Sequence, residues 1–463
     1  MLSAAAANDL RQYLARESIS FAEEDLVCYG YDAALSGAVP DVVVFPQGRD
    51  QVIELIRFAH RQRIPVVARG AGTGCVGGAL SVQGGILLSY ERMNRILSVN
   101  PEVRIGLVEP GVITGDFQKA VEQQGLFYPP DPSSARMSTL GGNVAHGAGG
   151  LRGRKFGTTR DYVTGLEAVT ADGHLLRTGH FASSESCDLT GLLVGSEGTL
   201  ACIVTIALRL VPLPESVCTL LLVFTDAAGA LRASRGILKQ GIQPVALEYM
   251  DEYAMGCIRE HGRADLPARN GHLLVVELCG RKEQVGREAI RVEELARTEG
   301  SVFLRQAWRP EERGDIWSVR RALSPAMAHA ARRKISQDVC VPPEAVGRLL
   351  DQVGDIADRR GLTVIAFGHL GDGNIHVNTM INGSPREERQ ARAVVEEVYR
   401  AVLSLEGTLT GEHGVGLYRM PYLSWELSPQ TMEAHRKVKA AFDPGQLMNP
   451  GKILDQTMIL STS

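Results

Sequence analysis

Residues 69–80 read RGAGTGCVGGAL, and the resolution of that stretch decides the fold. Gly72, Gly74 and Gly77 satisfy G-x-G-x-x-G literally, and Glu91 stands near the distance at which an acidic residue would meet a ribose. A Rossmann unit needs a helix that opens at this loop and crosses over to a parallel strand, a connection of at least about 10–12 residues. Between Gly78 and the strand expected from Ile86 stand only seven residues, two of them glycine. No helix fits, and the Rossmann reading is rejected. The loop keeps its chemistry, because successive glycines let backbone N–H groups converge on a pyrophosphate without Cβ obstruction.

Upstream, residues 40–46 (PDVVVFP) read as a β-branched strand bounded by prolines. Residues 50–60 place Val52, Ile53, Ile56 and Ala59 at helical spacing behind Asp50 as N-cap. Residues 65–69 form a second strand feeding the glycine loop, and residues 86–90 a third. Downstream comes a second glycine-rich stretch, 139–150 (TLGGNVAHGAGG). Residues 163–177 read as a hairpin turning at Asp172-Gly173. Residues 195–199 (GSEGT) lead into a long β-branched strand ending at Val211. Pro212 and Pro214 then punctuate the chain and set a domain boundary, giving 1–213 and 214–417. In the second span, strands such as 219–225 and 272–278 alternate with amphipathic helices such as 282–298, an α+β pattern with an antiparallel sheet covered by helices. A helix over 429–442 and the loop FDPGQLMNPGK follow.

With 463 residues the chain exceeds one ordinary core. A formal charge of −4, 44% apolar and 22% charged residues describe a globular composition and give no reason to expect nucleic acid or an anionic membrane. The eight cysteines (Cys28, Cys75, Cys187, Cys202, Cys218, Cys257, Cys279, Cys340) never approach CxxC spacing, which excludes a zinc ribbon and an iron–sulfur cluster within the chain and suits a reducing compartment. No stretch approaches the ~20 apolar residues of a transmembrane segment, and MLSAAAANDLRQ lacks a signal-peptide pattern. A cytoplasmic protein is the expectation.

Residues 366–380 read AFGHLGDGNIHVNTM. An apolar strand, a Gly-Asp-Gly-Asn turn and an alternating strand would let His369 and His376 face one point from two sides of the turn. Asn378 follows on the same strand face as His376, where it would donate a hydrogen bond to a substrate. Residues 411–416 (GEHGVG) add Glu412 beside His413 between glycines. Two imidazoles and a carboxylate suit a divalent catalytic metal that keeps open positions, zinc first, with iron or manganese as alternatives.

Taken in order, RGAGTGCVGGAL, YPPDPSS (128–134), TLGGNVAHGAGG, KFGTTRD (155–161), GSEGTL (195–200) and NPGK (449–452) resemble the FAD-binding fold of the vanillyl-alcohol oxidase superfamily. The later motifs resemble its branch of glycolate oxidase catalytic subunits, D-lactate dehydrogenases and D-2-hydroxyglutarate dehydrogenases. The resemblance implies an α+β fold with a PCMH-type FAD-binding domain of two α+β subdomains, an α+β cap domain, and a segment 418–463 that returns to the FAD-binding domain. Arg69, Gly70, Ala71, Gly72, Thr73, Gly74, Gly141, Gly142 and Asn143 would line the pyrophosphate and ribityl. Glu197, Gly198 and Asn449 would lie nearer the rings, with Pro130, Asp131, Ser133, Thr139, Gly150 and Ile203 completing the cofactor contacts. The first glycine loop carries Thr73 and Cys75 and no histidine, so the FAD is expected to be noncovalent; His146 stands where relatives carry a small or polar residue.

The resemblance also implies that His369, His376 and Glu412 hold the metal and that His413 is the base. Arg320 would meet the substrate carboxylate, with Ser324 one helical turn on, Arg321 as the competing cation and Lys334 as a second basic position. The expected reaction is oxidation of a small D-2-hydroxy acid, D-lactate or glycolate first and D-2-hydroxyglutarate as the alternative, to the 2-oxo acid. His413 would serve a hydride or a carbanion route equally. Electrons would leave to an iron–sulfur subunit, an electron-transferring flavoprotein, a quinone or oxygen, and the enzyme would be peripheral to a membrane only through such a partner. A metallohydrolase would use the same histidines but leaves the glycine loops unexplained. A noncatalytic flavin subunit would have no use for the base and ligands, and an ether-lipid synthase of the same superfamily is a weaker rival.

Overall fold

A computed structural model of the chain describes residues 2–13, 15–33, 37–183, 188–261, 266 and 271–454; Cys187 lies outside them. The chain divides into two units, the first built from 1–150, 158–213 and 412–463, the second from 151–157 and 214–411. The late crossing falls at 412 rather than 418, and the excursion at 151–157 carries no sequence signal of its own. Its physical anchors are Leu151, packed on the second unit's core, and Lys155, whose Nζ donates to the Cys279 carbonyl at 2.5 Å.

In the first unit, strand Val66–Arg69 lies parallel to Ile86–Ser89, which lies parallel to Val42–Val44. Residues 70–85, all described, form no helix. The two strands flanking the first glycine loop are therefore direct parallel neighbours, the arrangement that the short spacing requires. Helix Arg49–Gln62 supplies the crossover between Val42–Val44 and Val66–Arg69. Its buried face (Val52, Leu55, Ile56, Phe58, Ala59) follows the 3.6 period, and its N-cap is Gly48, with Asp50 inside the first turn instead of capping it. The same helix packs against Val169, Cys202 and Val204 of a five-stranded antiparallel sheet, so one core serves both sheets of the unit. That second sheet runs Ile96–Asn100, Ile105–Val108, Ala201–Arg209, Val163–Thr170, Leu175–Arg177 in spatial order. Its last two strands form the hairpin, turning over Asp172 and Gly173 with Gly173 at φ 81°. Met448 makes a parallel bridge to Val66, and Asn449 donates its backbone N–H to the Val66 carbonyl, which adds the late chain to the first sheet's edge.

The second unit is a seven-stranded, wholly antiparallel sheet in the order Ser301–Ala307, Ser216–Phe224, His272–Gly280, Ala246–Met250, Val364–His369, Asn374–Ile381, Arg333–Cys340. Its central strands are buried on both faces, which explains their unbroken apolar runs. One face carries Leu221, Val223, Ala246, Met250, Val275, Ile365, Phe367 and Met380 against helices Glu252–Glu260 and Pro310–Ala330. Among the described residues, no helix is long and apolar enough to cross a membrane.

Asp251 locks that face. One carboxylate oxygen caps helix Glu252–Glu260 by accepting from Ala254 N at 2.7 Å, and the other accepts from Ala366 N in the neighbouring strand at 2.5 Å. Asp251→Ala removes the cap and strands a buried N–H, a combined cost of about 2–4 kcal/mol. A lowered midpoint in denaturant with an unchanged slope is the expected result; an unaltered midpoint would show that the clamp is redundant.

Candidate active site

In the first unit, three glycine-rich segments are held together by side chains from elsewhere in the chain. Gly70 lies so close to Thr139 that a Cβ there would stand 2.2 Å from the threonine Oγ1. Thr139 caps helix Leu140–His146 by accepting from Gly142 N at 3.2 Å. Asn143 donates to Thr114 Oγ1 at 2.8 Å, Gly141 abuts Pro110, and Gly150 abuts the Asp131 carbonyl. Arg69 donates to the Tyr31 carbonyl at 2.7 Å and stacks its guanidinium near the Tyr29 and Tyr31 rings. A cleft of about 480 Å³ opens along Gly70, Ala71, Gly111, Ile113 and Thr139.

Asn449 closes the arrangement. Its Nδ2 donates to the carbonyls of Gly78 and Glu197, both at 2.8 Å, joining the first and third glycine segments. Lys452 donates to Leu80 O at 2.7 Å and to Asn449 Oδ1 at 3.0 Å, and burial draws its ammonium down to about 8. Glu197, in the left-handed region at φ 52°, accepts from Val415 N at 2.7 Å and Gly416 N at 2.8 Å. It thereby fixes the loop that carries Glu412 and His413, whose Oε1 and Nε2 lie 3.9 Å apart. His146 fills space beside Gly74, Gly78 and Gly414. Thr73, Gly72 and Gly74 are partly exposed, Pro130 is buried and receives a 2.9 Å bond from Gln118, Ser133 is exposed, and Ile203 is buried in its strand beside a register shift. Gly198 faces the Asn449 amide.

The second unit concentrates polar groups on the one sheet face covered by helix Pro310–Ala330. Directly paired residues in an antiparallel ladder share a face. Glu248 pairs with His369, Phe367 with His376, Ile365 with Asn378, and His376 and Asn378 with Asp338 and Ser336. The register therefore puts Glu248, His369, His376, Asn378 and Asp338 on one surface, each buried. The two imidazole rings stand edge to face at 5.5 Å, and a ligand nitrogen of each lies within 4.8 Å of the other's. Each Nδ1 is turned to a fully buried carboxylate, His369 to Glu248 and His376 to Asp338 at 3.4 Å. A carboxylate on Nδ1 fixes the tautomer and orients Nε2 as the ligand atom, the usual support for a metal-binding imidazole.

Arg320 is buried and donates through Nε to Glu248 at 3.1 Å, with its guanidinium 4.6 Å from the Phe367 ring centre. Arg321 points away and donates to the Gly314 carbonyl. Ser324 and Lys334 come together at 3.3 Å. Burial alone would raise the Glu248 carboxyl; His369 and Arg320 overcome it and hold it below the ordinary carboxylate range. Asn378 Nδ2 reaches the Ile365 and His376 carbonyls at 3.4 Å, and its Oδ1 is buried with no hydrogen-bond partner. Asp338 also accepts from Asn374 at 2.7 Å and from Gly411 N at 3.0 Å, and a Cβ on Gly411 would collide with Asn374.

Glu248, Asp338 and Asn374 were not singled out from the sequence. Their signal is faint: one charged residue inside the apolar strand ALEYM, and one inside ISQDVCV.

Two family models match the chain, an FAD binding domain over residues 40–179 and the C-terminal domain of FAD linked oxidases over residues 213–453. The glycolate oxidase subunit GlcD of Bacillus subtilis is 38% identical over 430 residues, covering 92% of this chain and 91% of that protein. A D-lactate dehydrogenase of Anaerostipes hadrus is 32% identical over 444 residues, covering 94% and 92%. In fold, p-cresol methylhydroxylase aligns over 98% of both chains with a TM-score of 0.81 at 17% identity. That likeness places the chain in the vanillyl-alcohol-oxidase type of fold.

Asn449→Ala removes both bonds between the glycine segments, taking the amide away from the buried Glu197 carbonyl and leaving Gly78 O only the longer 3.5 Å bond from Lys452 Nζ. FAD affinity is expected to fall about tenfold or more, since 1.4 kcal/mol is tenfold. The check is the ratio of 450 to 280 nm absorbance after gel filtration; undiminished flavin would dismiss this role for the amide.

Proposed function

The chain belongs to the FAD-linked oxidase family, and we propose that it oxidises a small D-2-hydroxy acid, D-lactate or glycolate, to the 2-oxo acid. The observation that carries the reading is the polar face of the second unit's sheet, where two carboxylate-backed imidazoles, a buried arginine and a buried amide oxygen meet in otherwise apolar surroundings. Such a face suits a short, anionic, hydroxylated substrate. Arg320 would grip the carboxylate, because guanidinium pairs with it in a planar fork, and Lys334 with Ser324 would add a second polar contact. Asn378 Oδ1 would accept from the substrate hydroxyl, satisfying an atom that is otherwise orphaned. His413 would take the proton that must leave, whether from the hydroxyl or from the α-carbon.

FAD, when bound, supplies the two-electron acceptor. His369 and His376 fit a divalent ion by donor chemistry and by their carboxylate supports, and Glu412 would be the third ligand. Such an ion, zinc in the first instance, would lower the hydroxyl pKa as a Lewis acid. With cysteines scattered along the sequence, electrons would pass to a partner, an iron–sulfur subunit or an electron-transferring flavoprotein. A cytoplasmic location, peripheral to a membrane only through that partner, fits this assignment.

The test is an anaerobic spectrum of the holoenzyme titrated with D-lactate, glycolate and D-2-hydroxyglutarate. Bleaching of the oxidised flavin band by one of them is expected; a band that none of them bleaches overturns the substrate class. His413→Asn is expected to slow bleaching by about 10²–10⁴-fold with the resting spectrum intact. Bleaching at the unaltered rate would remove His413 as the base.

A further inference from the structure

We infer that Glu248 is a shared positioning residue, its one carboxylate setting both the substrate-gripping arginine and a metal-binding histidine; this rests on the roles proposed above for Arg320 and His369. Glu248 occupies the centre of strand Ala246–Met250, whose other residues are Ala246, Leu247, Tyr249 and Met250, and its side chain is fully buried. An ionised carboxylate in such a place is costly unless paired and hydrogen bonded. Its two oxygens are divided, Oε2 accepting from Arg320 Nε and Oε1 from His369 Nδ1.

The division has a consequence for each partner. Arg320 is held through Nε, and its guanidinium is braced by the Phe367 ring, so the Nη end of the fork has one preferred direction. His369 is held in the tautomer that carries its proton on Nδ1, which makes Nε2 the ligand atom. Both orientations depend on the same rigid strand residue, because Glu248 is fixed opposite His369 in the ladder. The second histidine is supported separately. His376 leans on Asp338, which is engaged by Asn374 and Gly411. Glu248 thus serves metal and substrate together, and Asp338 serves the metal.

Glu248→Gln and Asp338→Asn keep shape while removing charge. Each is prepared as FAD-loaded holoenzyme, stripped with EDTA and titrated with Zn²⁺, and steady-state constants are measured separately with the hydroxy acid that bleaches the flavin. Flavin content and thermal midpoint report folding. For Glu248→Gln the expected result is zinc affinity lower by about 10–100-fold together with a KM raised about tenfold, as for lost ground-state binding. For Asp338→Asn the expected result is the same loss of zinc affinity with a smaller rise in KM than in Glu248→Gln, both measured at saturating Zn²⁺. Glu248→Asp, which keeps the charge on a shorter arm, is expected to recover part of both losses. A Glu248→Gln enzyme that keeps wild-type KM and zinc affinity, or loses only one of them, overturns the shared role. If Glu248→Gln does not fold, the Glu248→Asp holoenzyme decides alone, and wild-type constants there overturn it too. A wild-type holoenzyme that takes up no Zn²⁺ fails the metal reading itself, and the shared role falls with it; failure of the variants alone leaves that reading standing.

Discussion

Strand Val364–His369 pairs with Ala246–Met250 on one side and with Asn374–Ile381 on the other, and this register brings Glu248, His369, His376 and Asn378 to one face. Side chains along a strand alternate between faces, so a one-residue slip would send His376 and Asn378 to the opposite face. The surrounding chemistry resists that slip. Met250, Ile365, Phe367 and Met380 share the polar face and bury themselves against helices Glu252–Glu260 and Pro310–Ala330. Apolar residues thus pin the register, and the charged residues inherit their positions from it.

The first unit meets a different constraint. Loops rich in glycine have few side chains with which to position themselves, so their geometry must be imposed from outside. Asn449 reaches Gly78 across 371 residues of sequence and Glu197 across 252. Glu197 in turn holds Val415 and Gly416. Because Leu447 O and Asn449 N bond to Val66 at the start of the glycine-loop strand, the late segment is part of the sheet and can bear that load.

Legibility in the sequence followed the range of the interactions. The spacing between Gly78 and Ile86 excluded a helix, and the strands on either side are parallel neighbours, because chain length between two points is a local property. The turn between His369 and His376 was readable for the same reason, and the two rings do meet on one face. Glu248 and Asp338 were not readable, since their partners are 121 and 38 residues away and only strand register brings them together. The excursion at 151–157 escaped notice because its anchor is a lysine bonded to a distant backbone carbonyl, a contact without a sequence pattern. At Gly48 the error was one of degree: a helix whose N-cap falls two residues early, at Gly48 instead of Asp50, leaves Asp50 in the first turn, where its charge still suits the N-terminus.

Helix Pro310–Ala330 carries the last step. Trp317 and Arg320 lie three residues apart on one helical face and reach two buried carboxylates on adjacent strands, Trp317 to Glu277 at 2.6 Å and Arg320 to Glu248 at 3.1 Å. Arg321, one residue on, turns outward, which is why a helix can distinguish two consecutive arginines so sharply. Stability alone does not explain this interface. Replacing a buried ion pair by well-packed apolar residues is often neutral or stabilising by about 1–4 kcal/mol, and the surrounding core of Leu221, Val275, Leu323 and Met327 would accept leucine or methionine readily. A guanidinium, a carboxylate and an imidazole linked in series in that core cost desolvation and gain direction. Direction is what a site needs if it must hold one end of a small anion while its hydroxyl-bearing carbon is presented for oxidation.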